Sequence, residues 1–305
     1  METAELNVVT GAFGYTGRYI ARRLLARGRR VITLTGHPDR VDPFGGRVRV
    51  APFDFDRPAA LAETLRGATV LFNTYWVRFS RGRTTHDLAV ERSRILVRAA
   101  KEAGVRRIVH VSIANPSRES PLPYFQGKAL VEEAVRDSGL GYAILRPTVI
   151  YGLEDILLNN IAWLLRRFPL FAIAGSGEYR LQPIFAEDLA DLAVRAAAGD
   201  EDWVVDAVGP EVYTFNGLVR LLAAAVGSRA RLVHLPPGVA LALSGLLGAA
   251  VRDGVLTRDE LDGLMADLLV SSGPPTGSTR LSDWVAQHAD RLGASYASEL
   301  GRHYR

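Results

Sequence analysis

The sequence contains no cysteine, which removes disulfides, thiol nucleophiles and thiolate metal sites from consideration. Its six histidines, at 37, 86, 110, 234, 288 and 303, show no close ligand spacing, so no metal site is expected. Charge of one sign is not concentrated either. The 37 basic residues exceed the 33 acidic ones by only four, the arginines are scattered, and there is no aromatic-basic stripe. A nucleic-acid surface is therefore not expected. Long hydrophobic runs are also lacking. The most apolar stretch, 239–251, is interrupted by Ser244 and ends at Arg252. It is too short to cross a bilayer and reads as a buried helix. The N-terminus, METAELNVVTG, enters a strand almost at once. With no basic region ahead of a long apolar stretch, no signal peptide is expected. A cytoplasmic protein with a small-molecule substrate follows, with monomer and homodimer both open.

What is present is an alternation of elements. The 305 residues suit one large domain or two coupled ones. Apolar strand runs at 6–9, 31–34, 48–51, 70–72, 107–111 and 142–145 are separated by helical spacing at 19–26, 59–65, 87–103 and 129–138. Such an order implies parallel strands covered on both faces, joined by right-handed crossovers. The expected class is α/β: a doubly wound parallel Rossmann sheet with a smaller, mainly helical C-terminal substrate lobe. The Rossmann part is placed at 1–150 with a return over 183–209, and the lobe at 151–182 and 210–305. Within the lobe, 156–168 reads as a helix, 173–182 as turn-rich, and the chain from Thr214 onward as mostly helical.

Between the first strand and the first helix lies Thr10-Gly11-Ala12-Phe13-Gly14-Tyr15-Thr16-Gly17. One glycine allows the tight turn, the next lets the backbone approach a diphosphate, and the last lets helix and strand pack closely. The helix N-terminus then offers free N–H groups and the positive end of its dipole. The alternative is an ordinary glycine-rich β-α turn. The strand before and the helix after favour dinucleotide binding. The specificity position lies at the end of the second strand, where an acid would hold the ribose 2′-hydroxyl. Here the chain reads Thr35-Gly36-His37-Pro38-Asp39-Arg40. No acid sits at the strand end, Asp39 follows a proline, and His37, Arg40 and Arg18 could all reach a 2′-phosphate; the alternative is that they are solvated loop charges. NADP(H) is the expected cofactor, with NAD as the alternative.

Tyr124-Phe125-Gln126-Gly127-Lys128 sets a tyrosine and a lysine four apart, on one face of a helix. An ammonium beside a phenol favours the phenolate, which suits a general acid/base. The alternative is a partly buried tyrosine with a lysine that serves the cofactor alone.

The spacing TGxxGxxG resembles the short-chain dehydrogenase/reductase superfamily, in its extended and atypical branches. Asp54-Phe55 after the third strand, Asn73-Thr74-Tyr75 ending the fourth, Arg146-Pro147-Thr148-Val149-Ile150-Tyr151-Gly152 and 182–190 (QPIFAEDLA) carry the same resemblance. The ending, with 296–300 (YASEL) and Arg302-His303, is similar to bacterial relatives of the nucleotide-binding accessory subunit of respiratory complex I. The resemblance implies cofactor contacts at Gly11, Phe13, Gly14, Tyr15, Thr16, Gly17, His37, Arg40, Asp54, Phe55, Asn73, Thr74, Tyr75, Lys128, Pro147, Thr148 and Ile150. It also implies Tyr124 as acid/base and Lys128 as its partner. Ser112 is the candidate third member. The family's late hydroxyl falls at Ala114, so Asn115 and Ser117 are alternatives to Ser112, and Ala89 stands where the family carries asparagine. Residues expected above the strand ends are Trp76 with Tyr75 as an apolar wall and Arg78 or Arg180 for an anion, with Asn159, Asn160 and Gln182 near the substrate. The expected function is an NAD(P)-dependent oxidoreductase acting on a hydroxyl or carbonyl. Alternatives are a non-catalytic NADP(H)-binding sensor or assembly protein, and a nucleotide-sugar-type epimerase/dehydratase.

Overall fold

A computed structural model describes residues 5–303. In chain order its elements are β1 (Leu6–Thr10), α1 (Tyr15–Ala26), β2 (Arg30–Thr35), β3 (Val48–Pro52), α2 (Pro58–Leu65), β4 (Val70–Asn73), α3 (His86–Glu102), β5 (Arg107–Val111), α4 (Pro123–Arg136), β6 (Gly141–Pro147), β7 (Ile150–Tyr151) and α5 (Leu157–Arg167). The chain continues through β8 (Leu170–Ala174), β9 (Arg180–Leu181), β10 (Ile184–Phe185), α6 (Ala186–Ala198), β11 (Trp203–Ala207), β12 (Tyr213–Thr214), α7 (Phe215–Ala225), β13 (Arg231–Leu235), α8 (Pro237–Val251), α9 (Arg258–Met265), α10 (Leu281–Gln287) and α11 (Glu299–His303). Two compact units result: the chain up to Pro147 with Ala186–Ala207, and Thr148–Phe185 with the chain from Val208 on.

In the first unit, among the described residues, seven parallel strands pair in the order β11-β6-β5-β4-β1-β2-β3. This is the doubly wound Rossmann sheet. Strand order reverses between β1 and β4, and ligands of such sheets sit beyond the carboxyl ends at that point. The strands are apolar on both faces because helices cover both: Val8, Ile32, Leu71, Ile108 and Ile144 join Leu61, Leu96 and Val131 in one core. The buried Arg107 is satisfied through Nε on the Ala196 carbonyl at 2.8 Å and Nη2 on the Glu201 carbonyl at 2.6 Å, as a charge out of water requires. Helix starts follow local chemistry. Pro123 is the first residue of α4, where its missing N–H costs nothing, and Thr85 Oγ1 accepts from Leu88 N at 3.1 Å to cap α3.

The second unit is held by Tyr151, Ile161, Leu165, Phe171, Leu218, Leu222 and Trp284. One element here was not foreseen, and one expectation is corrected. The stretch read as mostly helical contains β13, which pairs in parallel with β8 from Arg231↔Leu170 to Leu235↔Ala174. Five residues whose partner lies some sixty positions away carry no local periodicity to read. The apolar stretch read as a buried helix forms α8, but only Ala240 and Gly248 of it are buried and Leu246 is 70% exposed. α8 packs through its small residues: Ala240 joins Ala174 and Leu261 in a minor core, and at Gly248 the Asp253 carbonyl approaches so closely that a Cβ would lie 2.7 Å from it. Among the described residues, no helix is long and apolar enough to cross a membrane, and no group of three or more His, Asp or Glu is placed to hold a metal ion.

Candidate functional site

The turn after β1 is built by its glycines. Gly11 has φ +65°, a left-handed conformation that favours glycine, and its N–H donates to the Leu34 carbonyl at 2.8 Å. Gly14 N–H donates to the Gly11 carbonyl at 2.8 Å. A Cβ on Gly17 would collide with that same carbonyl, so α1 leans on the turn. No side chain caps the start of α1, and its first turn holds no acid. Its leading N–H groups and dipole are therefore left for an anion. This cradle fits a dinucleotide's diphosphate. Phe13 is buried against Phe44, centroids 6.2 Å apart. Tyr15 meets Tyr19 edge-on at 5.7 Å, and Thr16 is half-buried. Arg18 Nη2 donates to the Phe13 carbonyl at 3.2 Å. At the end of β2, Thr35 Oγ1 accepts from His37 N at 3.0 Å. Asp39 is exposed, and His37 and Arg40 are half-buried.

Past β3 and β4, Phe53 stacks on Phe55 at 5.0 Å, and Tyr75 meets both at 5.1 and 5.5 Å. Burial pushes the Tyr75 hydroxyl up, against an opposing pull from Arg92. Asp54 is ion-paired with Arg57 at 2.6 Å. Thr74 is tied to Thr10: its N–H donates to Thr10 Oγ1 at 2.7 Å and its hydroxyl to the Thr10 carbonyl at 2.5 Å. The adjacent Trp76 has different neighbours and lies against Gly127 and Lys128 of α4.

Around Trp76 the structure gathers Tyr124, Lys128, His86 and Gly127. The Lys128 ammonium lies 4.7 Å from the indole centroid, a cation–π distance. Tyr124 meets the indole edge-on at 5.8 Å, and His86 stacks on it at 5.9 Å. Gly127 makes room, since a Cβ there would lie 2.8 Å from Trp76 Cη2. Lys128 is 3% exposed, and Nζ donates to the Val111 carbonyl at 2.8 Å. Burial brings its ammonium down to about 7, against a smaller upward pull from Glu132. Lys101 and Lys128 are the chain's lysines; its other basic residues are arginines. An arginine stays charged at any working pH, whereas the Lys128 side chain is brought by burial to titrate near neutrality.

Behind Lys128 stand His110 and Ser112, both buried. β4–β5 register sets Asn73 opposite His110, and Asn73 Nδ2 lies 3.2 Å from His110 Nδ1. Burial, then the Lys128 charge, hold His110 well below the usual imidazole range; the Asn73 backbone carbonyl opposes them. Among the described residues, Ser112 Oγ, His110 Nε2 and Trp76 Nε1 have no hydrogen-bond partner. Ala114, at the family's late hydroxyl position, is fully buried with its N–H on the Pro147 carbonyl at 2.8 Å. Ala89 is buried in α3. Pro147 ends β6 in this unit. Arg78 is half-buried, with its guanidinium 5.8 Å from the Phe79 ring.

Several residues singled out from the sequence are placed in the second unit. Thr148 Oγ1 donates to the Gln182 carbonyl. Ile150 pairs with Ile184. Asn159 Nδ2 donates to the Ser295 carbonyl at 2.9 Å, and its Oδ1 accepts from Gly293 N at 3.0 Å. Asn160 exchanges two bonds with Ala297. Arg180 is ion-paired with Asp267 at 3.0 Å. Gln182 Nε2 donates to the Gly209 carbonyl at 2.8 Å.

His86, His110 and Glu132 went unmarked at the level of sequence. Glu132 is buried and takes a bidentate bond from Arg146, 2.9 and 2.6 Å, fixing α4 to β6. The Arg146-Pro147 motif was the available signal for that pair. For His110 there was none, because its partner is 37 positions away.

Comparison with known proteins gives the same architecture. Residues 11–155 match the family model described as NAD(P)H-binding. The chain is 31% identical over 242 residues to a protein of Caulobacter vibrioides named ceramide reductase, covering 76% of this chain and 74% of that one. It is 27% identical over 290 residues to the Arabidopsis thaliana mitochondrial protein named NADH dehydrogenase [ubiquinone] 1 alpha subcomplex subunit 9, covering 86% and 70%. Among solved structures, an Escherichia coli NADPH-dependent quinone oxidoreductase complexed with NADPH superposes with a TM-score of 0.73 at 23% identity, over 92% of this chain and 99% of that one.

Proposed function

Since the chain belongs to the NAD(P)H-binding family of extended short-chain dehydrogenase/reductase type, we propose that it is an NADP(H)-dependent oxidoreductase acting on the carbonyl or hydroxyl group of a small substrate. The observation that carries this reading is the pairing of Tyr124 with the buried Lys128 one turn on along α4, both against the Trp76 indole. A bound nicotinamide supplies or accepts the hydride. In the reducing direction Tyr124 gives its hydroxyl proton to the substrate oxygen, Ser112 donates a hydrogen bond to that oxygen, and the Lys128 ammonium stabilises the phenolate left behind. Water then reprotonates Tyr124. The choice of NADP(H) rests on the end of β2, where Asp39 is exposed and no carboxylate stands to repel a 2′-phosphate.

Two observations favour a second reading, a protein that holds NADP(H) without turnover. Lys128 Nζ is turned onto the Val111 carbonyl, and Ala114 offers no hydroxyl. One experiment separates the two. Purified protein is given NADPH and a panel of ketones and aldehydes that includes long-chain ones, and NADPH absorbance is followed. The expected result is turnover that falls at least about 100-fold in Tyr124→Phe, with NADPH affinity retained. Turnover unaffected by that substitution would remove the acid/base. Tight NADPH retention with no consumption across the panel would establish the second reading.

A further inference from the structure

The hydrogen bonds behind Ser112 fix a proton that no distance records directly. Tyr75 N–H can only donate, and it donates to Asn73 Oδ1 at 3.1 Å. The amide of Asn73 is thereby oriented, and its NH2 group faces His110 Nδ1 at 3.2 Å. Nδ1 must accept. A neutral imidazole that accepts at one nitrogen carries its proton on the other, so His110 holds a buried N–H at Nε2, an atom with no partner among the described residues. Two residues on, and so on the same face of the strand, lies the Ser112 hydroxyl, also buried and also without a partner among them. Ser112 continues the ladder through its N–H on the Leu145 carbonyl at 2.7 Å, so its backbone is held and any adjustment falls to χ1 and the hydroxyl torsion. A buried donor and a buried hydroxyl left unmatched are each costly.

We propose that His110 is a positioning residue for Ser112: locked by Asn73 as the Nε2–H tautomer, it donates to Ser112 Oγ, directly after a χ1 rotation or through one bridging water, so that the serine's own proton is turned outward to a substrate oxygen. A hydroxyl accepting a hydrogen bond from behind keeps its O–H free in front and is polarised as a donor. The arrangement runs from the Tyr75 backbone, just past β4, through Asn73 and His110 to Ser112, across two adjacent strands. It rests on the oxidoreductase reading for its consequence, but not for its existence. The charged or titratable group that bears on His110 is Lys128, which opposes a cationic ring, and the Asn73 backbone carbonyl pulls weakly the other way.

The test begins with 15N-labelled wild-type protein. Long-range imidazole correlations are assigned to His110 by their loss in His110→Gln. The expected pattern is an unprotonated Nδ1, a protonated Nε2 and no titration between pH about 8 and about 5.5. In Ser112→Ala the Nε2–H resonance must move. A proton on Nδ1, a cationic ring near neutral pH, or an Nε2–H signal indifferent to Ser112→Ala overturns the proposal, and all three are readable in protein that turns nothing over. With a turned-over carbonyl, His110→Leu is expected to lower kcat about tenfold while leaving the KM for NADPH unchanged. His110→Gln, whose amide can also donate, should recover part of the loss. In the Ser112→Ala background the same His110→Leu change should cost less than about twofold. Equal losses in both backgrounds would mark His110 as a core residue only. Absence of all turnover would count against the oxidoreductase reading, with the tautomer measurement standing apart from it.

Discussion

Asp155 shows how a single side chain can oppose its own surroundings. Its carboxylate accepts from Leu157 N at 3.2 Å and Leu158 N at 2.6 Å, at the start of α5. These bonds and the Arg302 charge favour the ionised form, yet burial outweighs them and pushes the group up from 3.8 to about 6. A carboxyl that binds its proton more tightly when folded contributes most to stability below about 4. That contribution is lost as pH rises from there through about 6, and is flat above. The wild type should therefore lose about 1–3 kcal/mol relative to Asp155→Asn between pH 4 and 7.5, measured by urea unfolding at the two pH values. A pH-independent difference would show that Asp155 is not perturbed. Gly127 is a second residue whose consequence is local. Alanine there gains about 1 kcal/mol of helix propensity but drives Cβ to 2.8 Å from Trp76 Cη2, and overpacking costs about 1–3 kcal/mol. Gly127→Ala should be less stable and should shift the Trp76 emission, read against a Trp76→Phe control. A raised melting temperature would mean that the indole has room to move.

At the scale of the element, the β1–α1 turn is decided by backbone contacts and not by flexible side chains. Alanine at Gly17 would meet the carbonyls of Gly11 and Thr10, neither of which can swing aside, so α1 must lift from the sheet. Gly17→Ala is expected to cost about 1–3 kcal/mol and to weaken NADPH binding at least tenfold, by calorimetry. Unchanged affinity would remove the turn from the cofactor site. This element was legible in the sequence because the need for glycine is local: a positive φ at Gly11 and a close approach at Gly17 are set by neighbours within the same turn. β13 was not legible, because its pairing with β8 is a contact between distant segments. α8 was misread for a related reason: apolar composition reports which residues lack charge, not which surface reaches them.

For the whole molecule, a ligand that binds only the folded state raises stability by mass action. NADPH at one hundred times its dissociation constant should add about 2.7 kcal/mol and raise the melting temperature by several degrees. NADH at equal concentration should do less, since the end of β2 offers no acid for a free 2′-hydroxyl. Equal shifts would withdraw the preference for NADP(H), and no shift with either would withdraw the cofactor site.

The alternation of apolar runs and helical spacing already implied a parallel, doubly wound sheet, and the glycine spacing marked the turn that opens it, because both follow from period and from steric limits within a few residues. Only the tertiary structure decided that Asn73 faces His110, that Trp76 rather than Tyr75 lies over Lys128, and that Lys128 is buried to a point where its amine titrates near neutrality. Those facts depend on strand register and on which side chains exclude water from one another, and both are set by contacts between segments far apart in the chain.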